Sequence, residues 1–99
     1  MSQTWRILYH PEIDKDLNRI GKSRAKRAIR AIEEKLLVEP EKFGAPLRKG
    51  LTGLRKLRVG DIRIVYRLEK KRIEVLIITI GKRADGDVYK VANLRKDRG

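Results

Sequence analysis

Cysteine is absent and histidine occurs once, at His10. Without cysteine there are no disulfides, thiolate metal sites or cysteine nucleophiles, which fits a reducing compartment. With one histidine there is no two-histidine acid–base pair. Aromatics are scarce as well: one Trp, one Phe and three Tyr in 99 residues. Among the strand-like segments of the C-terminal half only Tyr66 is aromatic, so a platform of bases stacked across neighbouring strands is excluded. Long apolar runs are also missing. The most apolar stretch, Val75 to Ile80, is interrupted by Thr79 and falls far short of a membrane span. Met1 to Asp16 holds no apolar stretch long enough for a signal peptide. The expectation is a soluble, cytoplasmic chain with no membrane partner, residues 1–99 forming a single domain around one core.

What is abundant is positive charge. Twenty-six Lys and Arg against thirteen Asp and Glu leave a net charge of +13, a large self-repulsion for a small body. The bases are also clustered. Between Asp16 and Glu33 there are Arg19, Lys22, Arg24, Lys26, Arg27 and Arg30 with no acid, and from Lys42 to Arg58 there are Lys42, Arg48, Lys49, Arg55, Lys56 and Arg58, again with no acid. A polyanion partner accounts for such clusters, and for a cytoplasmic chain that means nucleic acid.

Hydrophobic periodicity gives an element order. Thr4 to His10 alternates, with Trp5, Ile7 and Tyr9 on one face of a first strand. Pro11 suits the first position of a helix with Glu12, Asp14 and Asp16 at its positive end. Ile13, Leu17 and Ile20 form its stripe, and Gly21 ends it. Ser23 can cap a second helix striped by Ala25, Ile29, Ile32 and Leu36 and stopped by Pro40. Pro40 to Gly53 reads as a loop. Leu54–Val59, Ile62–Leu68 and Ile73–Ile80 read as three strands rich in Val and Ile. Gly60-Asp61 makes a two-residue hairpin turn, and Lys70-Lys71 marks a second turn or the start of a longer loop. Asp85 or Asp87 can cap a short last helix through Leu94, followed by a frayed tail. The class is α+β: an N-terminal strand, a helical hairpin, a three-stranded antiparallel meander and a short C-terminal helix, with helices packed on one face of the sheet.

The hairpin turn fixes a register. It opposes Val59 to Ile62, Arg58 to Arg63, Leu57 to Ile64 and Lys56 to Val65, and opposed residues share a face. One face then carries Leu57, Val59, Ile62 and Ile64 for the helices, and the other carries Lys56, Arg58 and Arg63. Arg58 directly across from Arg63 is unfavourable, and a phosphate group bound by both would compensate. Glu74 is expected opposite Arg67. Leu76, Ile78 and Ile80 of the last strand share the cationic face, too apolar to stay bare, so the C-terminal helix or a partner chain should cover part of it.

RNA transesterification requires a base for the 2′-hydroxyl, an acid for the leaving 5′-oxygen and positive charge for the phosphorane. His10, at a strand end, reads as structural. Asp85 and Asp87 read as helix-capping residues rather than metal ligands, so neither metal nor cofactor is expected. Grouped Lys and Arg supply the charge. From chemistry alone the reading stops at a basic sheet that faces nucleic acid.

Three segments carry a resemblance: Gly53-Leu-Arg-Lys-Leu-Arg-Val-Gly-Asp-Ile-Arg-Ile-Val-Tyr66, then Ile80-Gly-Lys-Arg83, then Val88-Tyr89. At these spacings, after a basic helical hairpin, the chain resembles the RelE branch of the RelE/ParE toxin superfamily over nearly its whole length. The resemblance implies the toxin of a type II toxin–antitoxin system, a ribosome-dependent, metal-independent endoribonuclease that cuts mRNA in the decoding site. It also implies a cognate antitoxin that wraps the toxin, besides the mRNA and the ribosome with its rRNA. It assigns phosphate binding and charge stabilisation to Arg63 and Arg83, a base or electrostatic role to Lys56, and stacking or substrate orientation to Tyr89. Arg55, Arg58 and Lys82 join them as RNA- and phosphate-binding residues. Leu54 departs from the pattern, standing where the family has a second lysine, with Arg55 or Arg58 as candidates to replace its charge. Two rival readings are a ParE-type gyrase inhibitor on the same fold and a non-catalytic nucleic-acid-binding module.

Overall fold

The computed structural model describes residues 4–47, 53–82 and 88–95. The strands are β1 (Arg6–Tyr9), β2 (Ala45–Pro46), β3 (Leu54–Val59), β4 (Ile62–Glu69) and β5 (Glu74–Lys82). The helices are α1 (Ile13–Ile20), α2 (Lys22–Ala31), α3 (Pro40–Phe43) and α4 (Val88–Arg95). The sheet order is β1-β5-β4-β3-β2. β1 runs parallel to β5, and the other neighbours are antiparallel. The architecture is α+β, as the pattern of the sequence predicts.

The β3–β4 register is the expected one throughout, from Val59 opposite Ile62 to Lys56 opposite Val65. Gly60 takes φ 60°, the left-handed conformation that the tight turn demands. Leu57, Ile62 and Ile64 are buried against α1 and α2 together with Ile13, Ile20, Ala28, Ile32 and Leu36. At ~25 cal/mol per Å² of apolar surface removed from water, burying each of the larger side chains contributes about 1.5–3 kcal/mol. α2 presents Ala28 and Ala31 to this core, with Ile29 only partly buried beside it. Gly21, not Ser23, occupies the N-cap of α2. Beyond Ala31 the helix widens over Ile32–Leu36 into a π-helix, in which the Leu37 N–H bonds the Ile32 carbonyl at 3.0 Å. Periodicity does not announce such a segment, because Ile32 and Leu36 keep a helical spacing in either winding.

The hairpin helices take one face of the sheet. α4 takes the other, where Val88 and Ala92 cover Leu54, Val65, Leu76 and Ile78. Ile80 does not join that second layer. A bulge between Val65 and Tyr66 of β4 pairs Val65 with Thr79 and Tyr66 with Ile77, so Ile78 is extra on β5. One extra residue inverts the alternation beyond it, and Ile80 turns to the hairpin core. The same step brings Gly81, paired with Arg63, under α4. There a side chain would crowd Val88, whose Cγ2 lies 3.1 Å from the position of an added Cβ.

The second turn is the longer one, Lys70 to Ile73. It sets Glu74 opposite Glu69 and Arg67 opposite Leu76, which corrects the expected Arg67–Glu74 pairing. Glu74 pairs instead with Arg6 at 3.4 Å. Pro40 starts a short helix rather than a plain loop, and Ala45–Pro46 adds an edge strand. Its proline withholds a donor from that edge. This segment is tied to the sheet from below. The buried Tyr66 hydroxyl donates to the Pro40 carbonyl at 2.7 Å, and a side chain on Gly44 would collide with that hydroxyl. Burial pushes the Tyr66 hydroxyl above its usual value, with Arg55 acting in the opposite direction. Tyr66→Phe should cost about 1 kcal/mol, the net worth of one hydrogen bond, read as a lower urea midpoint at constant slope.

Candidate nucleic-acid interface

The expected site residues divide by face. Lys56 and Arg63 are half-buried on the α4 side of the sheet, and Arg58 is exposed there, directly opposite Arg63. Tyr89, in the first turn of α4, packs partly against the second core. The Lys56 ammonium lies 5.8 Å and the Arg63 guanidinium 5.7 Å from the centre of the Tyr89 ring, within reach of a cation–π attraction. Three residues from three elements therefore meet at one place.

Lys56, Arg58 and Arg63 make no ion pair with a described carboxylate, whereas Arg24 and Arg27 share Asp61 and Arg95 pairs with Asp16. The Nε of Arg63 is buried and has no hydrogen-bond partner among the described residues. A buried guanidinium donor without an acceptor costs free energy, and an anionic oxygen would restore the bond.

Two residues expected here face the other way. Arg55 pairs with Tyr66 on the hairpin side, and its Nη2 donates to the carbonyls of Glu41 and Gly44, both at 2.7 Å. It holds α3 and β2 in place instead of meeting Lys56 and Arg63. Lys82 is paired with Ile62, on the side of the hairpin core. Arg83 lies outside the described residues, as do Asp85 and Asp87.

Leu54, where the resemblance expects a second lysine, is 2% exposed beneath α4. Across from it on β4 stands Arg67, which sequence reasoning set aside. Its signal was the length of the Lys70–Ile73 turn. A four-residue turn sets Glu74 opposite Glu69 and places Arg67 opposite Leu76, on the cationic face beside Leu54.

His10 lies away from this face. It is buried, its Nδ1 accepts the Glu12 N–H at 3.1 Å, and its backbone N–H donates to the Ile77 carbonyl on the far side of β5 from Arg63. In the β3–β4 turn Asp61 is held below the usual carboxylate range, first by the Arg24 hydrogen bond and then by the charges of Arg24 and Arg27. A carboxyl depressed by folding contributes stability above its unfolded pKa, and that contribution is lost as pH falls through the folded value. Asp61→Asn should therefore flatten the acid limb of a stability–pH curve measured by thermal unfolding, with little change near neutrality beyond the lost ion pairs.

A strand, a basic helical hairpin, a meander and a cationic sheet face closed by an aromatic on the last helix define a toxin-type fold. Residues 7–86 match the family model for the ParE toxin of type II toxin–antitoxin systems. Toxin RelE of Mycobacterium tuberculosis is 36% identical over 70 residues, 71% of this chain and 72% of that protein. Toxin RelG of the same organism is 38% identical over 47 residues, 48% of this chain and 54% of that protein. The structure of the RelBE2 toxin–antitoxin complex from M. tuberculosis superposes with a TM-score of 0.78 at 24% identity, covering 86% of this chain and all of that one. The isolated E. coli RelE toxin superposes at 0.64 with 20% identity, covering 93% and 98%. The chain belongs to the RelE/ParE family of type II toxins, in its RelE-type branch.

Proposed function

We propose that the protein is a ribosome-dependent endoribonuclease that cuts mRNA in the decoding site. The observation that carries this reading is the meeting of Lys56 and Arg63 at the Tyr89 ring, neither of them in an ion pair with a described carboxylate. In the reaction the 2′-oxygen attacks the adjacent phosphorus while the bond to the 5′-oxygen breaks. The 2′-hydroxyl loses its proton to a base, and the leaving oxygen gains one. The products are a 2′,3′-cyclic phosphate and a 5′-hydroxyl end. Arg63 stabilises charge on the phosphorane, together with Arg83. Lys56 acts as a base or as an electrostatic helper, and Tyr89 stacks on or orients the substrate. Arg58 and Arg67 extend the positive field along the backbone of the strand being cut. A cognate antitoxin is the natural inhibitor, since a chain that covers this face would block it. The complexes of RelE with RelB among the similar structures support such a partner. The chemistry needs no metal, because cations of the protein carry the charge term.

The test is primer extension on a defined mRNA with purified protein, with and without programmed ribosomes. Cuts confined to the ribosome reactions would establish the activity, and their positions would give the codon preference. Cuts on naked RNA that EDTA removes would replace the mechanism by a metal-dependent one. No cuts in any reaction would overturn the reading, and gyrase supercoiling would be assayed next.

A further inference from the structure

α4 is weakly held by its own apolar surface. It spans eight residues, about 12 Å, and a helix that short is unstable alone. Only Val88 and Ala92 are buried from it, while Leu94 is 77% exposed. Yet its first turn carries Tyr89, the residue that closes the candidate site.

The other end of α4 is fastened by a different device. Arg95 Nη1 lies 2.7 Å from Asp16 Oδ2 and Nη2 lies 3.0 Å from Oδ1, a bidentate pair with 12% and 0% of the two side chains exposed. The partners sit where β1 stops. β1 pairs with β5 only as far as Ile77, and His10 donates one last bond to the Ile77 carbonyl. Beyond that point Arg95 donates to the Ile78 carbonyl at 3.1 Å, and Asp16 accepts from the Ile80 N–H at 3.0 Å and from the Thr79 hydroxyl at 2.9 Å. An ion pair thus serves the edge of β5 that no strand covers, beside the bulge. It joins α1, β5 and α4.

We propose that Asp16 and Arg95 are positioning residues: their ion pair anchors the C-terminal end of α4 on β5 and so holds Tyr89 over Lys56 and Arg63. Arg95 lies six residues beyond Tyr89, about 9 Å along the helix axis, so it acts through the helix and not by touching the ring. The fork of a guanidinium suits the task, because it binds the carboxylate through two nitrogens and still reaches a carbonyl. The importance of Tyr89 rests on the nuclease reading, whereas its placement by the pair does not.

The test combines two readouts on the full-length protein. Fluorine NMR of 3-fluorotyrosine incorporated at Tyr89 reports the ring's surroundings, and single-turnover cleavage on programmed ribosomes separates rate from KM. Arg95→Ala should move and narrow the Tyr89 resonance towards that of a free residue. It should also slow cleavage by about 10–100-fold, the cost of a misplaced group at a reacting centre, with KM little changed. Arg95→Lys should recover part of both signals. If Arg95→Ala does not fold, Asp16→Asn decides the matter, because it keeps an acceptor for the Ile80 N–H while removing the charge that Arg95 binds. An unmoved Tyr89 resonance in a folded variant would overturn the proposal. So would a cleavage loss equal to the unfolded fraction, or unfolding of both variants, which would make the pair purely structural. A wild-type protein that cuts nothing would sink the nuclease reading alone, since the resonance still reports whether the pair places Tyr89.

Discussion

Arg63→Ala is expected to lower ribosome-dependent cleavage about 10²–10³-fold, the usual loss when one donor to a developing oxyanion is removed, with the apparent affinity for ribosomes little changed. Twelve further positive charges remain on the molecule by net count, so the long-range attraction to RNA survives. What disappears is the half-buried guanidinium beside Tyr89 whose Nε has no acceptor among the described residues. Arg63→Lys should fall between the two, because it keeps the charge and loses the fork. The same substitution makes an opposite prediction for stability. Arg63 stands directly across from Arg58, a like-charged pair that costs roughly 0.2–1 kcal/mol. Arg63→Ala should therefore leave the urea midpoint unchanged or slightly raised while activity collapses. A residue kept for packing would behave the other way, with lower stability and activity falling only as the folded fraction does. Equal cleavage by the variant and the wild type, assayed at matched folded concentration, would remove Arg63 from the site.

The cationic face was legible because a two-residue turn leaves little freedom. Once Gly60-Asp61 closes the hairpin, every pair from Val59–Ile62 to Lys56–Val65 follows, and apolar and basic residues separate by face. The reading failed wherever geometry depended on partners distant in the chain. Ile80 followed strict alternation in sequence but not in space, because a bulge opposite Val65 and Tyr66 shifts the phase by one residue. Arg55 belongs to a basic run, yet alternation puts it beside Tyr66, where carbonyls of the Glu41–Gly44 segment take up its guanidinium. That alternation was already contained in the register. Counting Arg55 with its neighbours by charge alone overrode it. Pro40–Gly53 read as loop because α3 and β2 are too short for any periodicity to show. Arg67 depended on the length of one turn. The toxin family itself was recognisable from short motifs, and Lys56, Arg63 and Tyr89 from those motifs meet in the structure.

The least legible feature was Asp16, read as one of several acids at a helix start and found fully buried. Asp16→Ala should lower stability by about 3–5 kcal/mol, the cost of removing one partner from a buried ion pair. Three groups lose a partner at once: the Ile80 N–H, the Thr79 hydroxyl and the Arg95 guanidinium, which keeps only the Ile78 carbonyl. Water can reach little of the space, because the Arg95 side chain is only 12% exposed. Asp14, two residues earlier on the same helix, is exposed, and Asp14→Ala should change stability by no more than about 0.5 kcal/mol. The contrast between these two acids isolates burial from any general effect of negative charge near the helix start. Urea unfolding followed by circular dichroism would measure both, with slopes compared to verify that the denatured state is unchanged. A loss below about 1 kcal/mol for Asp16→Ala would mean that the pair is hydrated in solution and that α4 is not anchored by it. A loss in the expected range follows if the Asp16–Arg95 pair closes the β5 edge beyond Ile77, the carboxylate taking the Ile80 N–H and Thr79 hydroxyl and the guanidinium the Ile78 carbonyl.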